Sequence, residues 1–144
     1  MGKKKETDDR FKKFGTVSFT SISKVNDFID YLEDGKIMGS ACLECGRVFF
    51  PPRADCHECF SSNMDWFEVK GAGILETYSL LNFAPAGFKD DAPYLVAVLG
   101  YGKYKVFGRI SNRLPKDQIK IGMEMKAVVN KLAGGQLNYV FEKI

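Results

Sequence analysis

At 144 residues and 16.2 kDa the chain has the size of one domain, or of a small module joined to a compact one, which leaves no room for a large catalytic fold. Hydrophobic residues at 45% and charged residues at 27% are ordinary globular proportions and exclude a fibrous repeat or wholesale disorder. The formal charge of +3 resides in residues 1–13, where six bases (Lys3, Lys4, Lys5, Arg10, Lys12, Lys13) face three acids (Glu6, Asp8, Asp9); the remainder is balanced and lacks the positive field that marks a nucleic-acid binder.

No apolar run approaches the ~20 residues that span a bilayer, and the leading lysines are not followed by the apolar segment of a secretion signal. A cytoplasmic protein, neither secreted nor membrane-spanning, is expected. Residues 1–20 combine the charged head with Phe11, Phe14, Val17 and Phe19, and read as a weakly ordered arm. Val25, Phe28, Ile29 and Leu32 then follow the i, i+3, i+4, i+7 spacing of one helical stripe. This predicts a helix over residues 23–34, with Ser23 capping its start and Gly35 its end. The stripe is expected to pack against its own domain; the other reading has it anchor the helix beneath or across a partner interface, with Phe28 a candidate contact.

Cys42, Cys45, Cys56 and Cys59 lie within 18 residues and are the only cysteines. Two C-x-x-C turns ten residues apart are a zinc spacing: each turn sets both sulfurs on one side of a tight loop, and a hairpin brings the loops together. Four thiolates leave no open coordination position, so one structural zinc per chain is expected. Rubredoxin-like iron, a redox dithiol pair, or His57 in place of a cysteine are the rival readings. His57 is expected to point outward from its turn. Residues 21–64, helix plus ribbon, form one unit.

Residues 65–144 read as all β, with strands expected at 66–69, 74–81, 94–99, 104–110, 123–130 and 137–141 and a helical turn at 115–118. About five strands in so short a span suit a closed barrel, which removes exposed edges. Ribbon and barrel are expected to have separate cores. The loop at 82–93 carries Phe83, Pro85 and Phe88; apolar residues on a loop this long suggest a partner surface, the bland reading being that both rings plug the barrel mouth.

With these residues in hand the chain is similar to a known family. Gly39-Ser40-Ala41-Cys42-Leu43-Glu44-Cys45-Gly46, then Phe50-Pro51-Pro52-Arg53-Ala54-Asp55-Cys56-His57-Glu58-Cys59, then Trp66 with Gly71-Ala72-Gly73, resemble the zinc-ribbon/OB-fold proteins associated with acyl-CoA thiolases. Ala92-Pro93-Tyr94-Leu95-Val96-Ala97-Val98, Ile121-Gly122-Met123 and Tyr139-Val140-Phe141 agree with it, and the resemblance runs from about Val25 to the C-terminus. It implies a mainly β fold in which a helical segment and a rubredoxin-like ribbon pack on a five-stranded OB barrel. It also implies a partner, a thiolase-superfamily enzyme acting on a β-ketoacyl-CoA, for example in anaerobic aromatic degradation or isoprenoid precursor synthesis, with this chain supporting assembly and the CoA channel.

The residues themselves offer no catalytic centre. The barrel segment has neither cysteine nor histidine, and its acids (Glu76, Asp90, Asp91, Asp117, Glu124, Glu142) are scattered. For CoA phosphates Lys103, Lys105, Arg109 and Arg113 are available, and alternation sets Lys103, Lys105, Phe107 and Arg109 on one strand face; such a row is also what the wet face of a strand looks like. The alternative function is an OB-fold/zinc-ribbon nucleic-acid module, with Tyr101, Tyr104 and Phe107 for stacking, against which the balanced charge of the body argues.

Overall fold

The computed structural model describes residues 8–16 and 24–144. A 3-10 turn at Arg10–Lys13 precedes helix α1 (Asp27–Glu33), and a three-stranded antiparallel sheet follows, β1 (Met38–Cys42), β2 (Val48–Phe49) and β3 (Met64–Glu68), in the order β2-β1-β3. The remaining strands are β4 (Gly73–Leu81), β5 (Tyr94–Gly100), β6 (Lys105–Ile110), β7 (Glu124–Lys131) and β8 (Leu137–Lys143), closed into a barrel in the order β4-β5-β6-β8-β7. The fold is mainly β with a ribbon and a five-stranded OB-type barrel, as the sequence predicts. Among the described residues no helix is long and apolar enough to cross a membrane.

Helix α1 is shorter than the predicted span. Its cap is Asn26, without a side-chain capping bond; Ser23, the expected cap, lies outside the described residues. Its end follows the glycine rule: Gly35 N–H bonds Leu32 O and Lys36 N–H bonds Tyr31 O, the paired closure of a Schellman motif. Phe28, Ile29 and Leu32 are each 3% exposed or less. Phe28 packs against Phe11, Phe14 and Phe50 of its own chain, which corrects its choice as a partner contact and follows the other reading, that the stripe packs on its own domain.

Two further expectations change. Residues 8–16 of the supposed arm lie against the body: Phe11 stacks on Phe28, Phe14 bridges to Leu137, and Gly15 N–H bonds Leu137 O at 2.8 Å. Burial of the rings holds it there, and charge complementarity across 17–20 residues sets where it lies: Arg10 bonds Asp27 at 2.9 Å and also Asp30, while Lys13 reaches Glu33 at 2.8 Å. The strand expected at 66–69 pairs with β1, Met38 opposite Glu68 through Cys42 opposite Met64, and so completes the ribbon sheet instead of opening the barrel.

The cores are not separate either. Ile29, Leu32, Ile37 and Val69 join Leu75, Leu99, Val106, Met125 and Phe141 of the barrel in one buried cluster, and only Cys42, Phe49 and Cys56 form a second, small one at the ribbon tip. The seam between the modules is aromatic, Phe50 against Tyr139 and Phe67 against Tyr104. At Gly108 an added Cβ would stand 2.9 Å from the rings of Tyr139 and Phe141, so a side chain there would push Phe141, which is fully buried, out of the core.

Truncating Phe28 to alanine is expected to cost about 3–5 kcal/mol, read as a lowered melting temperature of the isolated chain; a partner-facing ring would leave the free protein unchanged. Within the N-terminal segment the Arg10 guanidinium lowers the Asp8 carboxyl from 3.8 to about 2, a local pair that adds nothing to the attachment.

Candidate functional site

Strand β1 ends on Cys42, and the turn that follows carries Cys45 back beneath it. Gly46 N–H bonds Cys42 O and Cys42 N–H bonds Arg47 O, at 2.9 and 2.8 Å. The second knuckle repeats the plan with Phe60 N–H on Cys56 O at 3.0 Å and Cys56 N–H on Ser61 O at 2.9 Å. Each knuckle needs a left-handed residue directly after its second cysteine, and these are Gly46 at φ 76° and Phe60 at φ 59°. Glycine meets that demand without strain and phenylalanine does not; Phe60 is also 84% exposed.

The four sulfurs come together. Cys42 and Cys59 stand 3.5 Å apart, Cys45 and Cys56 3.6 Å, and all four ligand atoms lie within 4.8 Å of one another. Zn–S bonds of ~2.3 Å in a tetrahedron set sulfurs about 3.8 Å apart, so the donor set fits one ion. Cys42 and Cys56 are buried, Cys45 and Cys59 exposed. The backbone N–H of Cys45, with that of Glu44, donates to Cys42 Sγ and lowers its thiol pKa, and the N–H groups of Cys59 and Glu58 push Cys56 down to about 7. At these two sulfurs the donors favour the thiolate that a metal requires, whereas the hydrogen bond with Cys42 pushes Cys59 up to about 12 and Cys45 is raised as well. His57 stands outside this set, its ring 5.1 Å edge-on to Phe49 and its Nε2 3.4 Å from Glu58.

The loop after β4 does not plug the barrel. Phe83 is 92% exposed, Pro85 is exposed and Phe88 half-buried on the outer face. The Arg109 guanidinium lies 3.9 Å over the Tyr94 ring and 5.5 Å over Phe88, with Asp91 Oδ2 at 3.0 Å. Beside it runs an apolar groove of about 370 Å³ lined by Phe14, Leu81, Pro85, Phe107 and Tyr139 among others. Sequence reasoning found Pro85, Phe88 and Arg109 but missed Tyr94, Val96, Phe14 and Tyr139; Tyr94 and Val96 alternate along β5 on the face of Arg109, the one local signal available.

Of the expected row, Lys105, Phe107 and Arg109 share one face of β6, and Lys103 does not join them. Lys103 lies in the turn ahead of β6, outside the strand. Lys105 is paired with Glu76 at 2.7 Å and Arg109 with Asp91, while Arg113 is exposed in the segment after β6.

Comparison with known proteins agrees with this geometry. Residues 30–65 match the family model of the ChsH2 rubredoxin-like zinc ribbon domain, and residues 66–130 that of the ChsH2 C-terminal OB-fold domain. A DUF35 domain-containing scaffold protein of Methanothermobacter thermautotrophicus is 33% identical over 114 residues, 74% of this chain and 84% of that one. Another from Methanocaldococcus jannaschii is 32% identical over 98 residues, covering 67% and 69%. Among solved structures an Ltp2-ChsH2(DUF35) aldolase aligns with TM-score 0.68 at 22% identity over 85% of this chain and 96% of that one. A DUF35-family protein from Sulfolobus solfataricus aligns with TM-score 0.55 at 21% identity over 83% and 84%. At these identities the structural matches speak for the fold.

Metal analysis of the purified chain should find about one zinc per molecule, as a single four-ligand site requires; dominant iron with the red colour of an iron–thiolate centre would contradict it. Cys56→Ser should release the metal and lose the near-ultraviolet signal of the ribbon tip. The barrel should survive, because its core cluster does not include the cysteines.

Proposed function

Because the chain belongs to the family of DUF35-domain scaffold proteins built from a zinc ribbon and an OB-fold barrel, we propose that it is a non-catalytic accessory subunit of a thiolase-superfamily enzyme, one that makes or breaks a carbon–carbon bond beside a β-ketoacyl-CoA thioester. The observation that carries this reading is the convergence of all four thiols on one closed site. Claisen-type chemistry needs a nucleophilic thiolate and an acid/base for the α-proton. A thiolate locked among three others around an ion is a poor nucleophile, so both groups come from the partner. A protein of this fold stands in an Ltp2-ChsH2(DUF35) aldolase, and aldol cleavage belongs to the same class of reaction.

Zinc, held by Cys42, Cys45, Cys56 and Cys59, is structural here: it fixes a tip whose own apolar cluster is too small to hold it. The barrel meets the partner through Phe83 and the groove around Pro85 and Phe88, where an apolar wall narrows and dries the channel for the pantetheine arm of CoA. Of the four candidate cations, Lys103 and Arg113 have no ion pair among the described residues and remain available to CoA phosphates, whereas Glu76 and Asp91 neutralise Lys105 and Arg109. The same neutralisation removes the electropositive track that single-stranded nucleic acid needs. The reduced thiols of the site suit the cytoplasm.

Co-expression with a thiolase-superfamily enzyme of the same organism, followed by size-exclusion chromatography, should yield one co-eluting complex. Phe83→Ala should raise the dissociation constant at least tenfold, since burying such a ring is worth about 1.5–3 kcal/mol, while leaving the melting temperature and zinc content of the free chain unchanged. Separate elution, with the enzyme fully active alone, overturns the reading.

A further inference from the structure

The barrel wall is incomplete along β4. Its first residues are covered, Gly73 pairing with Met125 and Ile74 with Glu124 of β7. Leu75 N–H then bonds Met123 O and Gly122 N–H bonds Leu75 O, at 2.9 and 2.8 Å. Beyond Leu75 the register shifts, and residues 77–81 keep β5 on one side with no strand among the described residues on the other. Residues 76–80 are exposed without interruption.

A free sheet edge is normally protected by charge, proline or a bulge. Residues 77–81 are Thr77, Tyr78, Ser79, Leu80 and Leu81, with neither charge nor proline, and the register irregularity lies ahead of them, between Leu75 and Thr77. Tyr78 and Leu80 lie opposite Ala97 and Leu95, and so on the barrel's inner face, yet they are 38% and 37% exposed, whereas Leu75 on the covered part is fully buried. A cavity of about 230 Å³ opens on that same face, lined by Leu80, Leu95, Ile110 and Leu114. An extended segment laid along the edge would satisfy the backbone and cap this cavity at once.

We propose that the occupant is a second copy of this chain, paired antiparallel through residues 77–81 about a two-fold axis at Ser79. The segment is self-complementary in that register. Ser79 meets Ser79 on the axis, Tyr78 of each copy meets Leu80 of the other, and Thr77 meets Leu81. An aromatic–aliphatic cross-strand pair is a favourable one, and it forms twice because the contact is isologous. The three strands β4, β5 and β6 of each copy then join into a continuous six-stranded sheet, and Tyr78 of one copy leans over the cavity beside Leu80 of the other. Leu81 at the end of the paired segment also lines the groove, so the two surfaces adjoin, but the pairing holds whether or not the enzyme partner is the one proposed above. An edge of five residues is small beside the ~800 Å² per partner of a standard interface, so the dimer is concentration-dependent.

The zinc-loaded full chain, followed by light scattering across a concentration series, should pass from monomer to dimer. Leu80→Lys should raise the dimer dissociation constant at least tenfold with zinc content and melting temperature retained. Register is tested independently of that variant's folding. Ser79→Cys should form an interchain disulfide on mild oxidation, since directly opposed residues have Cα atoms about 4.5–5.5 Å apart, within disulfide reach. Thr77→Cys should not, its two copies being four positions out of register, roughly 13 Å. A wild-type chain that stays monomeric throughout while Ser79→Cys fails to cross-link overturns the proposal. Cross-linking at Thr77 equal to that at Ser79 overturns the register, and an edge occupied only in complex with the co-expressed enzyme assigns it to that partner instead.

Discussion

A helix of seven residues does not stand alone in water, and α1 exists because of what Phe28 touches. On one side of that ring lie Phe11 and Phe14 of the N-terminal segment; on another lies Phe50, which in turn meets Tyr139 of the barrel. One buried side chain therefore joins four parts of the chain that are far apart in sequence. The ion pairs of Arg10 and Lys13 with Asp27, Asp30 and Glu33 are exposed and individually contribute little. Their effect is to choose which surface of the helix the aromatic segment covers, while the burial of the rings supplies the stability.

The ribbon tip depends on different physics. Away from the seam it has only Cys42, Phe49 and Cys56 as a buried cluster, with Met64 packed against it. A cluster that small does not offset the entropy of ordering two knuckles, and four sulfurs crowded within 4.8 Å gain nothing from proximity unless a cation binds them. Metal coordination at the tip and aromatic packing at the seam thus divide the work: the first holds the knuckles closed, the second ties the sheet that carries them to the barrel.

What was legible in the sequence was what is local. The cysteine spacing specifies its own turn geometry, so the metal site could be named residue by residue. Alternation of apolar and polar residues marked β5 to β8 to within a residue or two. The rest depended on which neighbour an element finds. Trp66 and Phe67 have the pattern of a strand, but nothing in that pattern says that β3 pairs with β1 instead of β4. The arm seemed free because its binding site, the acids on α1, lies 17–20 residues downstream. The groove escaped because segments far apart in the chain contribute to it, and only Tyr94 and Val96 announce their shared face.

Pairing of β3 with β1 leaves only residues 69–72 between the ribbon sheet and the barrel, and Val69 N–H is itself bonded to Ile37 O at 2.8 Å. There is no slack for a hinge. The exposed knuckle residues Leu43 and Phe60 and the exposed loop residue Phe83 therefore ride on a single body at fixed separation. A protein that grips both ends loses no orientational freedom of one module relative to the other when the second contact forms, so two modest contacts act at high effective concentration. In that sense the ribbon and barrel behave as a spacer of set length: the metal shapes the knuckle end, and the aromatic seam sets its distance from the loop at the other.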